Sequence, residues 1–244
     1  MLTLKPTTYR TPGGETLQLY LDILRQPHTL IAGASGSGKS VAINGIISAL
    51  AKSSSPAKSE LVLIDPKRVE LSAWKRLPHT VQVATEPDDI ISTLQAVLRV
   101  IDDRYRYCEK QGLKFFPGAA LYVIIDELAD LMLTMRECKP LLQRILQIGR
   151  AAAVHVIAAT QCPLASVIPT AIKCNFSAVL GLHTRSAQDS RNILGFSGLE
   201  KTPLYGTGVY LSPGRDPGRY KLPMVTDEEI AALVQYWTSP ACVA

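Results

Sequence analysis

Residues 33–40 read Gly33-Ala-Ser-Gly-Ser-Gly-Lys-Ser40, and this stretch decides the fold. It matches the pattern G-x-x-x-x-G-K-[ST], and it lies between the apolar run from His28 to Gly33 and a segment that can be helical. Glycines let the backbone turn tightly, so that successive amide N–H groups face phosphate oxygens, and a helix beginning near Lys39 adds its positive end. The stretch therefore predicts a phosphate site. The alternative is a Gly- and Ser-rich turn that matches by chance.

Two side chains of this stretch have predicted chemical roles. Lys39 is expected to reach the β and γ phosphates of a nucleotide, and Ser40 is expected to ligate Mg²⁺. The remaining residues expected to contact the nucleotide are Gly33, Ala34, Ser35, Gly36, Ser37 and Gly38. The stretch therefore predicts a nucleoside triphosphate together with Mg²⁺, and we expect this nucleotide to be ATP.

A second motif, Tyr122-Val-Ile-Ile-Asp126-Glu127, supplies the carboxylates that a phosphate site needs. The apolar residues predict a buried strand, which delivers Asp126 at its carboxyl end, where ligands bind in open α/β sheets. Asp126 is expected to hold Mg²⁺, mostly through water, and Glu127 is expected to polarise the attacking water as general base. Acids also commonly begin helices, so Asp-Glu alone has a structural alternative. The adjacent Glu127 favours hydrolysis over phosphoryl transfer.

A third strand-like run, Val156-Ile-Ala-Ala-Thr160-Gln161, also ends in polar residues. Gln161 is a candidate to contact the γ phosphate or the lytic water. A strand-end Gln that only caps a loop is the alternative at this position.

The order of apolar runs predicts an α/β fold with a mostly parallel central sheet flanked by helices. The predicted strands are His28 to Gly33, Glu60 to Asp65, Thr80 to Ala84, Leu121 to Asp126, Val154 to Thr160 and Phe176 to Leu182. A helix is expected near Glu86 with Thr85 as its cap, and its apolar stripe is Ile90, Leu94, Val97, Ile101 and Tyr105. A capping box at Thr226 predicts a last helix. The opening stretch predicts an extended lead-in, with one edge strand at Thr16 to Tyr20.

Composition narrows the class of protein. The chain has 244 residues, 47% of them hydrophobic, which suits one large domain. Its net charge of +5 permits a polyanionic partner without requiring one. The five cysteines are odd in number and show no Cys-x-x-Cys, which argues against a disulfide framework or zinc site and favours the cytoplasm. No apolar run reaches the roughly 18 residues of a membrane span, so any membrane attachment is expected to come through a partner.

Motifs along the chain also carry a family resemblance. They are Ala32-Gly-x4-Gly-Lys-Ser-Val41, Ile64-Asp-Pro-Lys67, Glu70-Leu-Ser72, Asp126-Glu-Leu-Ala-Asp-Leu-Met132, Gly149-Arg-Ala-Ala152, Val156-Ile-Ala-Ala-Thr-Gln161, Ile172-Lys173, Asp189-Ser-Arg191 and Ile193-Leu194. In combination they resemble the motor domain of the FtsK/SpoIIIE DNA translocases, within the HerA/FtsK group of RecA-like P-loop ATPases. The likeness runs from about Pro27 to Trp237.

The resemblance implies a RecA-like core, a homohexameric ring with ATP sites at subunit boundaries, and translocation of double-stranded DNA through the central hole. It adds Val41 to the nucleotide-binding residues and makes Arg150 similar to the arginine finger offered to a neighbouring subunit. An Arg that bonds the last carbonyls of a helix is the alternative for Arg150. The implied domains are a lead-in over residues 1–26, a remnant of a preceding region, and a motor domain over residues 27–240.

For DNA, the resemblance points to Lys173 and Arg191 as pore-lining residues, and Arg185 is a nearby candidate of the same charge. Contacts of this kind reach phosphates, so they depend on salt and ignore base sequence. Solvated surface charge is the alternative for each. The chain departs from the family where Cys162 follows Gln161, and where Ala187 and Gln188 stand in place of a Lys before Asp-Ser-Arg, which implies a weaker or differently placed contact with DNA.

Two other functions remain open at the level of sequence. A protein-secretion ATPase would carry the same phosphate loop and acids, because secretion systems use relatives of this motor. A nucleotide-dependent scaffold is disfavoured because Lys39, Ser40, Asp126, Glu127 and Gln161 are all present.

Overall fold

The structure is a computed structural model that describes residues 14–164 and 166–239, with the backbone alone for residues 14–18. Its helices are α1 (Gly14–Arg25), α2 (Lys39–Ser53), α3 (Pro87–Gln111), α4 (Leu128–Thr134), α5 (Cys138–Ile148), α6 (Thr170–Lys173), α7 (Ala187–Leu194) and α8 (Asp227–Thr238). Its strands are β1 (His28–Ala32), β2 (Ser59–Ile64), β3 (Thr80–Ala84), β4 (Ala120–Ile125), β5 (Val154–Thr160), β6 (Ala178–Leu182), β7 (Thr207–Leu211) and β8 (Gly218–Lys221).

The strands form one eight-stranded sheet in the order β3-β2-β4-β5-β1-β6-β7-β8. The first six strands in this order are parallel, and β7 and β8 extend the sheet as antiparallel strands. The prediction of a mostly parallel α/β sheet is therefore confirmed. Strands β7 and β8 were not expected from the sequence.

Helices cover both faces of the sheet, and successive strand residues serve opposite cores. In β4, Tyr122 and Ile124 face the core shared with α1, α2 and α8, whereas Val123 and Ile125 face the core shared with α3, α4 and α5. Because both faces are buried, the central strands are continuous apolar runs. This arrangement fixes the carboxyl ends of β1, β2, β4 and β5 at one edge of the sheet.

The expected edge strand at Thr16 to Tyr20 is wrong, since these residues belong to α1. Leu19, Ile23 and Leu24 are buried, and their spacing is that of one helix face. The Tyr20 ring lies over Gly45 of α2, where a Cβ atom would come within 2.3 Å of the ring. The short alternation at Thr16 to Tyr20 was too brief to reveal this longer period.

The helix near Glu86 is confirmed, but its cap is not Thr85. Helix α3 begins at Pro87, and Glu86 is the N-cap residue, with ψ at 152° and no side-chain cap bond. Proline disfavours the helical conformation in the residue before it, so the boundary falls at Glu86. The expected capping box at Thr226 is present, with Glu229 as its partner.

The apolar stripe of α3 ends earlier than predicted. Ile90, Leu94, Val97 and Ile101 are buried, whereas Tyr105 is 40% exposed and donates its hydroxyl to Ile148 O. The stripe continues instead through the buried residues Arg104 and Cys108.

No helix in the described ranges, 14–164 and 166–239, is long and apolar enough to cross a membrane.

Candidate active site

The predicted phosphate loop connects β1 to α2, and two of its glycines adopt left-handed backbone angles. Gly36 has φ at 73° and Gly38 has φ at 103°, which residues with a Cβ atom rarely adopt. A Cβ atom on Gly38 would also lie 2.5 Å from Gly206 N. The loop therefore depends on glycine at position 38 for its conformation and for the close approach of the segment before β7.

Most amide groups of the loop have no hydrogen-bond acceptor among the described residues. Gly33 N–H donates to Thr160 O and Ala34 N–H donates to His183 O, which ties the start of the loop to its neighbours. The N–H groups without a hydrogen bond to any described residue are those of Ser35, Gly36, Gly38, Lys39, Ser40 and Val41. Unpaired amides at a helix N-terminus are the groups that bind anions.

Lys39 begins α2 and folds back over its own loop. Its Nζ donates to Gly33 O at 3.0 Å and to Ala34 O at 2.8 Å. Burial lowers the pKa of Lys39, while the nearby carboxylates of Glu127 and Asp126 raise it in part. The ammonium group is thus held at the loop beside the unpaired amides, where phosphate oxygens can replace the two carbonyls.

The predicted acids lie where β4 ends, between the ends of β2 and β5. Glu127 is 3% exposed, and each of its carboxylate oxygens has a partner. Oε1 accepts the Gln161 N–H at 3.1 Å, and Oε2 lies 3.5 Å from the Nζ of Lys67. The buried carboxylate is therefore oriented from two sides.

Asp126 lies in a crowded set of negative charges. Burial first, and then the charges of Asp65, Glu70 and Glu127, raise its pKa to about 6, and Lys67 opposes the rise. Ser40 lines the same cleft. Hard oxygen donors with excess negative charge suit Mg²⁺, so the hydroxyl of Ser40 and the carboxylate of Asp126 fit the predicted ion.

Asp65 has a clear structural role in this region. Its Oδ1 accepts the Lys67 N–H at 3.2 Å, and its Oδ2 accepts the Leu71 N–H at 3.0 Å. These bonds shape the loop after β2, which brings Lys67 next to Glu127.

These groups surround one cleft with a volume of about 550 Å³. Its lining residues are Ser35, Gly36, Gly38, Lys39, Ser40, Val41, Lys67, Val69, Glu70, Asp126, Glu127, Gln161, Tyr205, Leu222 and Met224. The predicted residues Gly33 and Ala34 line a smaller adjoining cleft of about 240 Å³ together with Arg185, and Ser35 and Gln161 line both. Ser37 is buried, and its hydroxyl has no hydrogen-bond partner among the described residues.

Arg150 lies at the other edge of the sheet. It belongs to a short 3-10 turn, Gly149–Ala152, that precedes β5, whereas Gln161 follows β5. The seven residues of β5 separate the two edges by about 20 Å at the usual rise of a strand. The exposed side chain of Arg150 makes no hydrogen bond or ion pair with a described residue, so the turn does not use it for capping.

Helix α3 fixes the turn that carries Arg150. The guanidinium of Arg104 donates to Ala152 O at 2.8 Å and to Ala153 O at 3.1 Å, and it lies 4.5 Å from the centroid of the Phe116 ring. The Tyr105 hydroxyl donates to Ile148 O at 2.9 Å. These bonds give Arg150 a rigid base.

The three candidate DNA-binding residues differ in burial and in hydrogen bonding. Lys173 is half-buried, donates its Nζ to Pro163 O at 2.7 Å, and has a pKa lowered by burial. Arg185 and Arg191 are exposed and form no ion pair with a described residue. Free cationic groups in this region are therefore Arg185 and Arg191, and Lys173 would have to leave Pro163 to contact a phosphate.

Sequence reasoning missed two parts of the cleft. Lys67 was noted only within the motif Ile64-Asp-Pro-Lys67, without a role, although its position after a strand was a usable signal. Tyr205, Leu222 and Met224 come from the segments around β7 and β8, for which the sequence offered no recognisable motif.

Known proteins share the sequence and the fold of this chain. The family model described as "FtsK/SpoIIIE family" matches residues 10–121 and 116–165. The protein named DNA translocase FtsK from Mesorhizobium japonicum is 34% identical over 92% of this chain and 30% of its own length. The one from Chlorobaculum tepidum is 37% identical over 88% of this chain and 30% of its own length. The chain thus spans about a third of these relatives.

Solved structures share the fold. The conjugation coupling protein TcpA of pCW3, solved with ATPγS, superimposes with a TM-score of 0.77 at 22% identity, covering 88% of this chain and 66% of that one. The type VII secretion ATPase EccC of Thermomonospora curvata gives 0.73 at 23% identity, covering 86% and 28%. At these identities the likeness establishes the P-loop ATPase fold alone. Together with the family match and the relatives, it shows that the chain belongs to the FtsK/SpoIIIE family.

Proposed function

We propose that residues 27–240 form an ATP-driven motor that moves double-stranded DNA through a homohexameric ring. The proposal rests on one observation, which is that the residues expected to act in ATP hydrolysis lie in two separate places on the subunit. The phosphate loop, Asp126 and Glu127 lie at one edge of the sheet, and Arg150, which has no partner within residues 14–164 and 166–239, lies at the other. A subunit with this arrangement completes its nucleotide site only with a second copy.

ATP binding is supported by the unpaired amides of the phosphate loop and by Lys39. Phosphate oxygens would take the place of the Gly33 and Ala34 carbonyls as partners of the ammonium group. Ser40 and Asp126 would hold Mg²⁺, which neutralises phosphate charge when it is bound. The amides and Lys39 orient the triphosphate toward the acids of β4.

Hydrolysis would use Glu127 as the general base. Its carboxylate accepts hydrogen bonds and is oriented by Gln161 N–H and Lys67, so it can take a proton from a water directed at the γ phosphate. The Gln161 side chain projects from the residue that follows β5 and lines the same cleft. It can therefore contact either the γ phosphate or the water and respond to phosphate release.

Arg150 would act on the ATP of the neighbouring subunit. Since about 20 Å separates its edge of the sheet from its own phosphate loop, it cannot serve the site of its own chain. A guanidinium can contact two phosphate oxygens at once and can be withdrawn by rotation of a subunit. Arg104 and Tyr105 would transmit that rotation to Arg150 through the turn that they hold.

Arg185 and Arg191 are the strongest candidates for contact with DNA, because both are exposed and lack ion-pair partners among the described residues. Arg185 also lines the small cleft that shares Ser35 and Gln161 with the nucleotide cleft. A change at Gln161 on phosphate release could therefore reach a residue that contacts the DNA backbone. We place this motor in the cytoplasm, with any membrane attachment supplied by a partner.

ATP hydrolysis by the purified chain tests the proposal, measured with and without linear duplex DNA at two salt concentrations, with Lys39→Ala as the blank. We expect DNA to stimulate turnover and added salt to reduce the stimulation, because phosphate contacts release counterions. A measurable basal rate in confirmed rings without any stimulation would contradict a DNA motor.

Mixing two inactive variants tests the shared site. Lys39→Ala removes the phosphate contact but keeps Arg150, whereas Arg150→Ala keeps the phosphate loop. Mixed rings contain boundaries where an intact loop meets an intact Arg150, so the mixture should regain turnover that neither variant shows alone. If each variant and the mixture are equally inactive while mixed rings form, Arg150 does not act between subunits.

A protein-secretion ATPase is the alternative function, and the fold does not distinguish it, since EccC and TcpA superimpose almost equally well. Arg185 and Arg191, exposed and without an ion-pair partner in the described part of the chain, favour a polyanion over a peptide. Stimulation of ATP turnover by a secreted peptide and not by duplex DNA would favour the alternative.

A further inference from the structure

One wall of the nucleotide cleft is apolar and exposed. Tyr205 is 74% exposed and Met224 is 76% exposed, and both line the cleft together with Leu222, which is itself buried. Single exposed apolar side chains are ordinary, but here two of them share one cleft with Lys39 and Glu127. The wall therefore offers an apolar surface next to a phosphate site.

The wall is attached directly to the phosphate loop. Gly206 N–H donates to Ser37 O at 2.8 Å, and Leu222 N–H donates to Gly206 O at 2.7 Å. Gly206 also lies against Gly38, where a Cβ atom would be only 2.5 Å from its nitrogen. These contacts set the position of Tyr205 and Leu222 relative to the loop and to the first turn of α2.

Tyr205 has a backbone conformation that is unfavourable for its residue type. Its φ is 64°, a left-handed value that large side chains rarely adopt and that persists only where the surroundings hold it. Here the carbonyl of Tyr205 accepts the Nζ of Lys221 at 2.9 Å, and the next residue, Gly206, is bonded to the loop. Strained residues of this kind concentrate at ligand sites.

The order of the strands indicates which end of the cleft would hold the γ phosphate and which end would hold the rest of the nucleotide. Strands β5 and β4, which carry Gln161, Asp126 and Glu127 at their ends, lie on one side of β1, whereas β6 and β7 lie on the other. The carboxylates take the γ-phosphate end, so a nucleotide extends from the loop toward Tyr205, which precedes β7.

We propose that Tyr205, with Leu222 and Met224, forms the surface on which the purine base of the nucleotide packs. This inference rests on the proposed ATP site and names its base-binding part. The Tyr205 ring offers a face for stacking, and a base packed on it would cover apolar surface that is exposed to water in this structure. The wall would contact the base mainly by stacking and apolar packing, which depend little on the groups at the edge of the base. We therefore expect the site to accept ATP and GTP with affinities within about threefold of each other.

The test compares a ligand with a base and a ligand without one. Calorimetry would measure the binding of ADP and of inorganic tripolyphosphate to the wild type and to Tyr205→Ala, Tyr205→Phe and Tyr205→Gly. Loss of one base–aromatic stack weakens binding by about 5- to 150-fold, so ADP affinity should fall by this factor in Tyr205→Ala and Tyr205→Gly. Tripolyphosphate affinity should not change, and Tyr205→Phe should retain ADP binding.

Two variants separate packing on the base from other effects. Tyr205→Gly relieves the left-handed backbone, so it should keep or raise the thermal stability of the free protein while losing ADP affinity. Tyr236→Ala removes another exposed tyrosine, 60% exposed on α8 and outside the cleft, and should bind ADP as the wild type does.

Three results would overturn the inference. If Tyr205→Ala weakens tripolyphosphate as much as ADP, the residue supports the loop and not the base. If ADP affinity is unchanged in Tyr205→Ala while Lys39→Ala abolishes binding, the base packs elsewhere and the proposed ATP site stands. If the wild type binds neither ligand, the ATP site and its base-binding part both fail.

Discussion

The ammonium group of Lys67 lies 3.5 Å from Oε2 of Glu127, while Oε1 of the same carboxylate accepts the Gln161 N–H. Lys67 also lies 3.6 Å from Asp130. Burial disfavours its charge, but the carboxylates of Glu127, Asp130 and Asp126 outweigh burial and raise the pKa of Lys67. Lys67 is therefore charged at neutral pH and restrains the residue that we propose as general base.

Replacement of Lys67 by methionine should slow hydrolysis more than it weakens binding. Glu127 would lose one of its two orienting partners, and Lys39 would be left as the nearby cation beside Glu127 and Asp126. We expect kcat to fall about tenfold, a part of what general base catalysis supplies, with KM for ATP changed less than about twofold. Lys67→Arg should keep most of the rate. A raised KM with unchanged kcat would place Lys67 in substrate binding.

The two glycines of the phosphate loop should respond differently to alanine. Gly36 has nothing within 4 Å of a Cβ atom, whereas at Gly38 a Cβ would meet the backbone of Gly206 at 2.5 Å. Gly36→Ala should therefore cost only the backbone strain, about 1 kcal/mol. Gly38→Ala should lower the free energy of unfolding by more than Gly36→Ala does, and it should also displace Gly206. Chemical unfolding and ADP titration measure both effects, and equal losses in the two variants would contradict this account.

Arg104 should contribute to stability through the turn that carries Arg150. Arg104→Met keeps much of the apolar stem but leaves the Ala152 carbonyl without its donor, while the Ala153 carbonyl keeps only the Leu121 N–H. We expect a loss of about 2 kcal/mol, which lowers Tm by about 4–8 °C in a chain of this size. Arg106→Met, which removes an exposed ion pair with Asp103 on the same helix, should change Tm little. Similar Tm values for the two variants would contradict the prediction.

Much of the candidate site could be predicted from the sequence because its signals are local. The phosphate loop, the buried strand before Asp126 and the strand before Gln161 each occupy a few consecutive residues, and a buried parallel strand is a continuous apolar run. The meeting of Glu127 with Gln161 follows from the pairing of β4 with β5. Chain order and the parallel sheet were sufficient to bring these ends together.

The features that could not be predicted depend on contacts between segments that lie far apart in the sequence. The ring of Tyr20 packs on Gly45, so α1 is stabilised by tertiary burial that a five-residue alternation does not reveal. Tyr205 contributes to the cleft through the bond of Gly206 to Ser37, about 170 positions away along the chain. Lys173, a candidate for contact with DNA, donates to Pro163 O, a bond that depends on how α6 folds back.

His28 makes stability depend on pH. It is 2% exposed, and its Nδ1 accepts the Val156 N–H at 3.0 Å, a bond that only an unprotonated Nδ1 can accept. Burial first, and then the charge of nearby His155, lower the pKa of His28 from 6.5 to about 4. A lowered histidine pKa means that the unfolded chain takes up a proton before the folded chain does. The contribution of His28 to the free energy of unfolding is therefore complete above pH 6.5 and is lost progressively as the pH falls toward 4.

His28→Asn tests this prediction, because the amide oxygen can still accept the Val156 N–H but does not titrate. At pH 5, about 1.5 units below the ordinary histidine pKa, the wild type should have lost about 2 kcal/mol through His28 relative to pH 7. The raised pKa of Asp126 acts in the opposite direction, since the folded chain then binds that proton more readily, but it is common to both proteins and cancels. Urea unfolding at pH 7 and pH 5 should thus show a larger loss in the wild type than in the variant, and equal losses would mean that His28 can take a proton in the folded state.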